Sequence, residues 1–297
     1  MRLPIAGEPG SHPDQLIEIA RRAEAAGFDA VSISDHVVMG PHADRYPWGD
    51  FPFPPDDPWY EPLTVLTAIA ASTQRIGLTT AILIVPLRPA ALLAKWAATI
   101  DVIAHGRLEL GVGTGWQLEE FEALGVDHAA RGQLLTDSIA ACRALWGPDP
   151  AQIATNSVSF TDIWCDPKPV APGGVPILFS GTLTPRNVRR IVELGDGWIP
   201  IMGERRDGIA AGIVRLREEY ERAGRDPAHL RVRSAARIGK GPDGTRDFAA
   251  SMERSADFAD IGVTDLDIPL TAFFDGGGNG YDRFFESAAE SLAGSAG

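Results

Sequence analysis

Cysteine is scarce in this chain, which has only Cys142 and Cys165 among 297 residues. Two cysteines cannot form a disulfide framework, and these two are not spaced as a C-x-x-C pair that binds a metal or exchanges disulfides. We therefore expect both thiols to be packing residues in a protein of the reducing cytoplasm.

Basic residues are fewer than acidic ones. The chain has 27 lysines and arginines against 40 aspartates and glutamates, which gives a formal net charge of −13. Nucleic-acid binding needs a concentrated basic face, and docking to an acidic membrane surface needs a basic patch. The sequence also lacks a charged-then-apolar leader and an apolar run of roughly 20 residues. We expect neither a nucleic-acid nor a membrane partner.

Histidines are few and scattered along the chain. Of the six, His36 is the only one that directly follows a predicted strand. A metal-dependent barrel hydrolase needs histidine and carboxylate ligands clustered at strand ends. The sequence therefore predicts no metal site and disfavours that class of enzyme.

The stretch GRLELGVGTGW, residues 106–116, lacks the third glycine of the dinucleotide fingerprint G-x-G-x-x-G. Trp116 stands where that glycine is required. The NAD-binding interpretation fails at its most specific position, so Gly111, Gly113 and Gly115 need another explanation.

Helical and β-branched segments alternate along the chain, which is typical of parallel strands joined by helices. Helices are predicted at residues 13–26, 61–73 and 89–103. Eight strands are predicted, at residues 1–6, 30–35, 75–84, 107–113, 175–181, 197–202, 230–238 and 265–270. An open doubly wound sheet gives the same local alternation, but eight strands favour a closed (β/α)₈ TIM barrel, an α/β fold. A barrel of this length forms one domain, here residues 1–297.

Three segments interrupt the alternation. Residues 37–60 are rich in proline and aromatics, too long for an ordinary βα loop, and predict an ordered lid after strand 2. Residues 156–174 alternate like a small hairpin inserted before strand 5. Residues 275–280, DGGGNG, predict a loop.

Several motifs together resemble the bacterial luciferase-like monooxygenase superfamily. They are SDHV after strand 2, LLAKWAATIDVIAHGRLELGVGTGWQLEEFEALGV across strand 4, and GDGWIPI at strand 6. The proline-rich FPFPPDDPWYEPL is more similar to the deazaflavin (F420)-dependent oxidoreductases of that superfamily. The resemblance implies a (β/α)₈ barrel, a small-molecule substrate and, as in many relatives, a homodimer. The first strand departs from the family pattern because MRLPIAG is short.

The resemblance implies hydride transfer between F420 and a small organic substrate, with the protein supplying position and electrostatics. His36, at the catalytic rim, is the candidate for proton transfer beside the ring. Asp35 is expected to orient its neighbours at the cofactor site. The Ala81–Ile82 bond matches a non-proline cis peptide that supports the ring in relatives, while the alternative is that both residues simply fill the barrel.

The remaining cofactor residues are predicted at the ends of strands 4 and 5. Gly113, Thr114 and Gly115 are expected to let the ring approach the backbone, with Trp116 closing one side, although close packing would also explain the glycines. An acidic residue occupies the Trp116 position in the sugar-phosphate dehydrogenases of the family, so its absence disfavours that substrate. Ser180, Gly181 and Thr182 precede a helix and are predicted to bind the cofactor phosphate, with Arg186 as a possible added charge. The same pocket would suit FMN, so an FMN-dependent monooxygenase and a non-catalytic F420- or flavin-binding barrel stay open as alternatives.

Overall fold

Eight parallel strands close into a barrel in the computed structural model, which describes residues 1–7, 12–273 and 280–294. The strands are β1 Pro4–Gly7, β2 Ala30–Ile33, β3 Gly77–Thr80, β4 Leu108–Gly113, β5 Ile177–Ser180, β6 Gly197–Ile199, β7 Arg231–Ala235 and β8 Asp265–Pro269. Consecutive strands pair in register, and β1 pairs with β8 to complete the circle. The predicted (β/α)₈ barrel is confirmed, and the open sheet is excluded.

Helices surround the barrel and bury their apolar faces against it. They are α1 Pro13–Ala26, α2 Pro62–Ser72, α3 Ala90–Ile103, α4 Leu118–Ala123, α5 Arg131–Trp146, α6 Pro185–Leu194, α7 Arg206–Arg222, α8 Phe248–Ser255, α9 Asp257–Asp260 and α10 Gly280–Gly294. Helix α1 has the predicted bounds and ends at Gly27, whose φ of 93° suits a residue without a Cβ. The other two predicted helices are each within one residue of α2 and α3 at either end.

The first strand is complete despite its short sequence. Strand β1 pairs in parallel with both β2 and β8, and Ile5 is fully buried. Arg2 extends the pairing, because its amide donates to Thr264 O at 2.8 Å and its carbonyl accepts from Leu266 N at 2.9 Å.

The insertions are close to their predicted positions. Residues 37–60 form the lid, with one short 3₁₀ turn at Ala43–Arg45. The hairpin before β5 pairs Ala151–Ala154 with Ser159–Ile163, so it begins upstream of the predicted stretch. A second small hairpin after β7, Gly239–Lys240 with Arg246–Asp247, was not predicted. The glycine-rich stretch predicted as a loop lies outside the described residues, apart from Gly280, where α10 begins.

An ionic network that the sequence analysis did not predict lies in the interior of the barrel. Arg233 is fully buried; its guanidinium donates to Thr79 Oγ1 at 2.6 Å and Thr80 O at 2.7 Å, and its Nε lies 3.3 Å from Asp267 Oδ2. Below it, Arg231 bridges Glu109 and Asp265. A Cβ on Gly111 would stand 2.3 Å from Arg233 Nη2 and 2.2 Å from Thr80 O. Glycine at 111 therefore makes room for the arginine that crosses the barrel.

Both cysteines are buried free thiols, as predicted. In the part of the chain that the structure describes, no helix has the length and apolarity needed to cross a membrane.

Candidate active site

A cavity of about 770 Å³ opens at the carboxyl ends of the barrel strands, where (β/α)₈ enzymes place their active sites. Loops that follow β2 to β8 contribute its walls. The lining includes every predicted site residue except Thr182: Asp35, His36, Ala81, Ile82, Gly113, Thr114, Gly115, Trp116, Ser180 and Gly181. Thr182 is exposed just beyond this wall.

His36 is held by a buried carboxylate that the sequence analysis did not identify. Its Nδ1 lies 3.2 Å from Glu120 Oε2, and both side chains are buried. Glu120 Oε1 also accepts the Val37 amide at 2.6 Å, which fixes the carboxylate relative to the histidine. Because a carboxylate accepts, Nδ1 carries the hydrogen, and Nε2 is the ring nitrogen without a protein partner among the described residues. His36 can therefore exchange a proton with a ligand through Nε2.

Asp35 has a structural role beside His36. Its two carboxylate oxygens accept from Arg88 Nη1 at 2.6 Å and Nη2 at 2.9 Å, and Oδ2 also accepts the Ile84 amide at 2.8 Å. Arg88 in turn donates to Glu61 Oε1 at 3.0 Å. The donors of Arg88 and Ile84 occupy the carboxylate, so Asp35 acts on the site by anchoring the segment that follows β3. Its orienting role at a cofactor site stays a prediction.

The Ala81–Ile82 peptide is cis, as the resemblance predicted. It separates β3 from a two-residue continuation, Leu83–Ile84, which pairs in parallel with Val112 and Gly113 of β4. Ala81 and Ile82 are partly exposed in the cavity, so the bulge forms part of its wall.

The glycines at the end of β4 are explained by close packing, which was the alternative to close approach of the cofactor ring. A Cβ on Gly113 would stand 2.4 Å from Ile82 Cδ1, and one on Gly115 would stand 2.7 Å from Ile84 Cγ2. Gly115 also has a φ of 72°, which favours glycine. Side chains of the segment that follows β3 fill the space over both glycines, so close packing explains them. Their backbones still line the cavity beside Trp116.

The lid covers the cavity with aromatic rings. Tyr46 and Phe51 pack on Trp116 with ring centroids 5.3 and 5.4 Å apart, and His36 stands edge-on to Trp59 at 4.6 Å. Trp48, Phe53 and Pro52 complete this wall. The prediction of an ordered lid is confirmed, and it makes the environment of His36 apolar.

The loop after β5 presents free backbone donors. Thr184 caps α6, and Asn187 Nδ2 donates to the carbonyls of Ser180 and Thr182 at 3.3 and 3.2 Å. Within the described residues, the amides of Thr182, Leu183 and Arg186 have no acceptor. Free amides at the start of a helix are suited to an anion. Gly181 has a φ of 115°, a conformation that favours glycine.

Two further observations concern metal ligands and buried donors without an acceptor. The structure brings together no group of three or more histidine, cysteine or carboxylate side chains suited to a metal within its described ranges. The indole N–H groups of Trp59 and Trp116 are buried and have no acceptor in the same ranges.

Comparison with known proteins identifies the family. The model of the luciferase-like monooxygenase family matches residues 2–243, and the chain belongs to this family. An uncharacterized protein of Mycobacterium tuberculosis is 34% identical over 215 residues, which are 70% of this chain and 74% of the relative. The F420-dependent glucose-6-phosphate dehydrogenase of Beutenbergia cavernae is 30% identical over 249 residues, which are 82% of this chain and 69% of that enzyme.

Solved structures agree on the fold. The monooxygenase RslO1 from Streptomyces bottropensis superposes with a TM-score of 0.83 at 18% identity, covering 100% of both chains. An F420-dependent secondary alcohol dehydrogenase in complex with an F420-acetone adduct superposes with a TM-score of 0.78 at 18% identity, covering 97% of this chain and 98% of the other.

Proposed function

We propose that this chain is an F420-dependent oxidoreductase that transfers a hydride between the deazaflavin and a small organic substrate. The observation that carries the proposal is a single cavity lined by the cis Ala81–Ile82 bulge, His36 and the edge of the anion-binding loop at Ser180 and Gly181. Relatives described as F420-dependent dehydrogenases at about 30% identity support the choice of cofactor.

The residues present fit such a cofactor. The amides of Thr182, Leu183 and Arg186 would hold its phosphate, and the buried indole N–H groups of Trp59 and Trp116 are donors that a polar heterocycle would satisfy. The wall formed by Ala81, Ile82 and the β4 backbone would lie against the ring. When bound, a deazaflavin supplies the hydride acceptor or donor.

The protein's own contribution is proton transfer, orientation and exclusion of water. His36 Nε2 would take a proton from, or return one to, the reacting oxygen of the substrate, while Glu120 holds the opposite ring nitrogen. The aromatic lid would exclude water from this position, which strengthens polar interactions within the cavity.

The test is a pair of fluorescence titrations of the purified protein, one with F420 and one with FMN. We expect saturable binding of F420 at lower concentration than FMN, and F420 reduction or oxidation with a substrate panel. Tight FMN binding without an F420 response would replace this proposal with an FMN-dependent monooxygenase. Binding of F420 without turnover of any substrate would favour the non-catalytic alternative.

Two expectations from the sequence accompany the proposal. A homodimer is expected from the resemblance, and sedimentation velocity would measure it. A cytoplasmic location is expected from the scarcity of cysteine, and fractionation of the source cells would test it.

A further inference from the structure

Three arginines line the cavity mouth on the side opposite His36. Arg205 and Arg206 stand at the start of α7 after β6, and Arg237 follows β7. His36 follows β2, and β2 and β6 are four strands apart in a ring of eight. The arginines and the histidine therefore face each other across the opening.

Two of these arginines are held in place by one carboxylate. Arg206 Nε lies 2.8 Å from Asp257 Oδ2, and Arg237 Nη2 contacts Asp257 Oδ1. Arg237 also stacks on Phe258, with its guanidinium carbon 4.5 Å from the ring centroid. A single carboxylate cannot balance two guanidinium groups, so this side of the mouth has surplus positive charge.

Arg205 adds a third cation that has no protein partner. In the described part of the chain its guanidinium has no acceptor, and Glu204 beside it accepts only the Arg205 backbone amide, at 3.2 Å. Burial lowers the pKa of Arg237, and the nearby charges of Arg254 and Arg206 lower it further. Three arginines and two acids, Glu204 and Asp257, leave a positive excess on a chain whose net charge is −13.

We infer that these arginines form an oxyanion subsite for the substrate, which would be an amphipathic acid with an apolar body and a carboxylate, phosphate or sulfate group. The apolar body would pack among the aromatic rings of the lid, and the anionic group would bind Arg205, Arg206 and Arg237. A guanidinium recognises such groups through paired N–H donors. This inference deepens the proposed function. The reaction of such a substrate rests on that proposed function, whereas binding of its anionic group to the arginines does not.

The acidic tail of F420 is the other source of an oxyanion. The free amides that would hold the cofactor phosphate belong to the loop around Thr182. Thr182 itself is exposed and is not part of the cavity lining. The start of α6 beyond Thr182 is exposed and does not line the cavity. The arginines line the cavity itself, which favours the substrate.

The first experiment uses inorganic sulfate and the cofactor-free protein. Thermal unfolding is measured against sulfate, with sodium chloride added to keep the ionic strength constant. A ligand that binds only the folded state raises the midpoint as its concentration exceeds its Kd. The free amides after β5 can also take up sulfate in the cofactor-free protein, and that part of the response should be equal in wild type and variant. We expect Arg205→Gln to weaken sulfate binding at the arginines about tenfold, as loss of one charged hydrogen-bonded contact predicts, and so to lose their part of the rise in midpoint. Because Arg205 has no protein partner, this variant removes no internal contact of its side chain.

The matched control is Arg75→Gln, which removes an exposed arginine just before β3, at the opposite end of the barrel. It should retain the wild-type sulfate response. An equal response in wild type, Arg205→Gln and Arg75→Gln, or no sulfate response at all, would overturn the subsite. This readout needs no cofactor, so it stays informative even if F420 does not bind.

The second experiment separates substrate from cofactor. F420 and the deazaflavin that lacks the phosphate and glutamate tail are titrated into wild type and Arg205→Gln. We expect both affinities to change by less than twofold. A loss of F420 affinity that spares the tail-less deazaflavin would assign the arginines to the cofactor tail and overturn the inference. With F420 bound, 4-phenylbutyrate should bind wild type about tenfold more tightly than its neutral amide, and equal binding would also contradict it.

Discussion

Glu120 Oε2 lies 3.2 Å from His36 Nδ1 in a region closed to solvent, and this contact determines which nitrogen the histidine presents to the cavity. Replacing Glu120 with glutamine removes the charge while keeping the side chain's shape. We expect kcat to fall about 10- to 100-fold, as for other residues that orient a functional histidine, with F420 affinity little changed.

The control for this variant is Glu122→Gln, which alters an exposed glutamate on the same short helix. Its kcat should match wild type. If Glu120→Gln changed only the free energy of unfolding and left kcat intact, Glu120 would be a structural residue without a positioning role.

His36→Ala tests the proton-transfer residue directly. General acid–base catalysis contributes typically 10²- to 10⁴-fold, so we expect a decrease of about this size in the hydride-transfer rate, measured by stopped-flow F420 absorbance. F420 affinity should stay within about threefold of wild type. His229→Ala, an exposed histidine before β7, should leave the rate unchanged. An unaltered rate in His36→Ala would remove His36 from the mechanism.

The Asp35–Arg88 pair couples stability to the shape of the cavity wall. Arg88→Met leaves the buried Asp35 carboxylate without its guanidinium, and we expect a loss of about 3–5 kcal/mol in the free energy of unfolding by urea denaturation. Adding Asp35→Asn should recover part of the loss, because the amide oxygen still accepts the Ile84 N–H. The control is the exposed pair of Arg222 and Glu218. Arg222→Met should lower the free energy of unfolding by less than about 1 kcal/mol.

Gly111→Ala tests the crossing of the barrel by Arg233. The new methyl group would overlap Thr80 O and the Arg233 guanidinium, and neither group has free space to move into. We therefore expect the free energy of unfolding, measured by urea denaturation, to fall by about 1–3 kcal/mol or more. Gly132→Ala is the control, because its Cβ would meet no atom closer than 3.4 Å and alanine favours the helix. Equal stability of the two variants would mean that Arg233 can move aside.

The two thiols should be inert in the folded protein. Burial raises the pKa of Cys142 to about 12, and Cys165 is also buried. Since the thiolate is the reactive form, a disulfide reagent at pH 8 should modify neither cysteine natively and both after denaturation. Rapid modification of the native protein would show that the segments covering them open readily.

The sequence predicts the barrel well because local patterns determine it. Strands such as β2, Ala30–Ile33, are short β-branched runs and helices such as α1 end at glycine, so strand count and order follow without long-range information. The hairpin before β5 is harder to bound, because its first strand, Ala151–Ala154, is short and lacks strong alternation.

The candidate site is predicted only in part. His36 and Ser180 stand at strand ends, which the alternation locates directly. Glu120 lies 84 positions after His36 on a short helix, and nothing in its local sequence distinguishes it from the acids at 119 and 122. The packing around Gly113 is hidden from the sequence for a related reason, because the Ile82 side chain that fills the space over it comes from the segment that follows β3.

Three of the seven tryptophans, Trp48, Trp59 and Trp116, line the cavity. Trp146 and Trp198 are buried elsewhere, with their indole N–H groups bonded to Ala94 O and Gly181 O, while Trp96 and Trp164 are exposed on the outside. Intrinsic emission should therefore respond to any occupant of the cavity, over a background from the two buried and the two surface indoles. Replacing Trp96 and Trp164 with phenylalanine would turn the protein into its own optical sensor, suited to screening compound collections for the unknown substrate without a coupled assay.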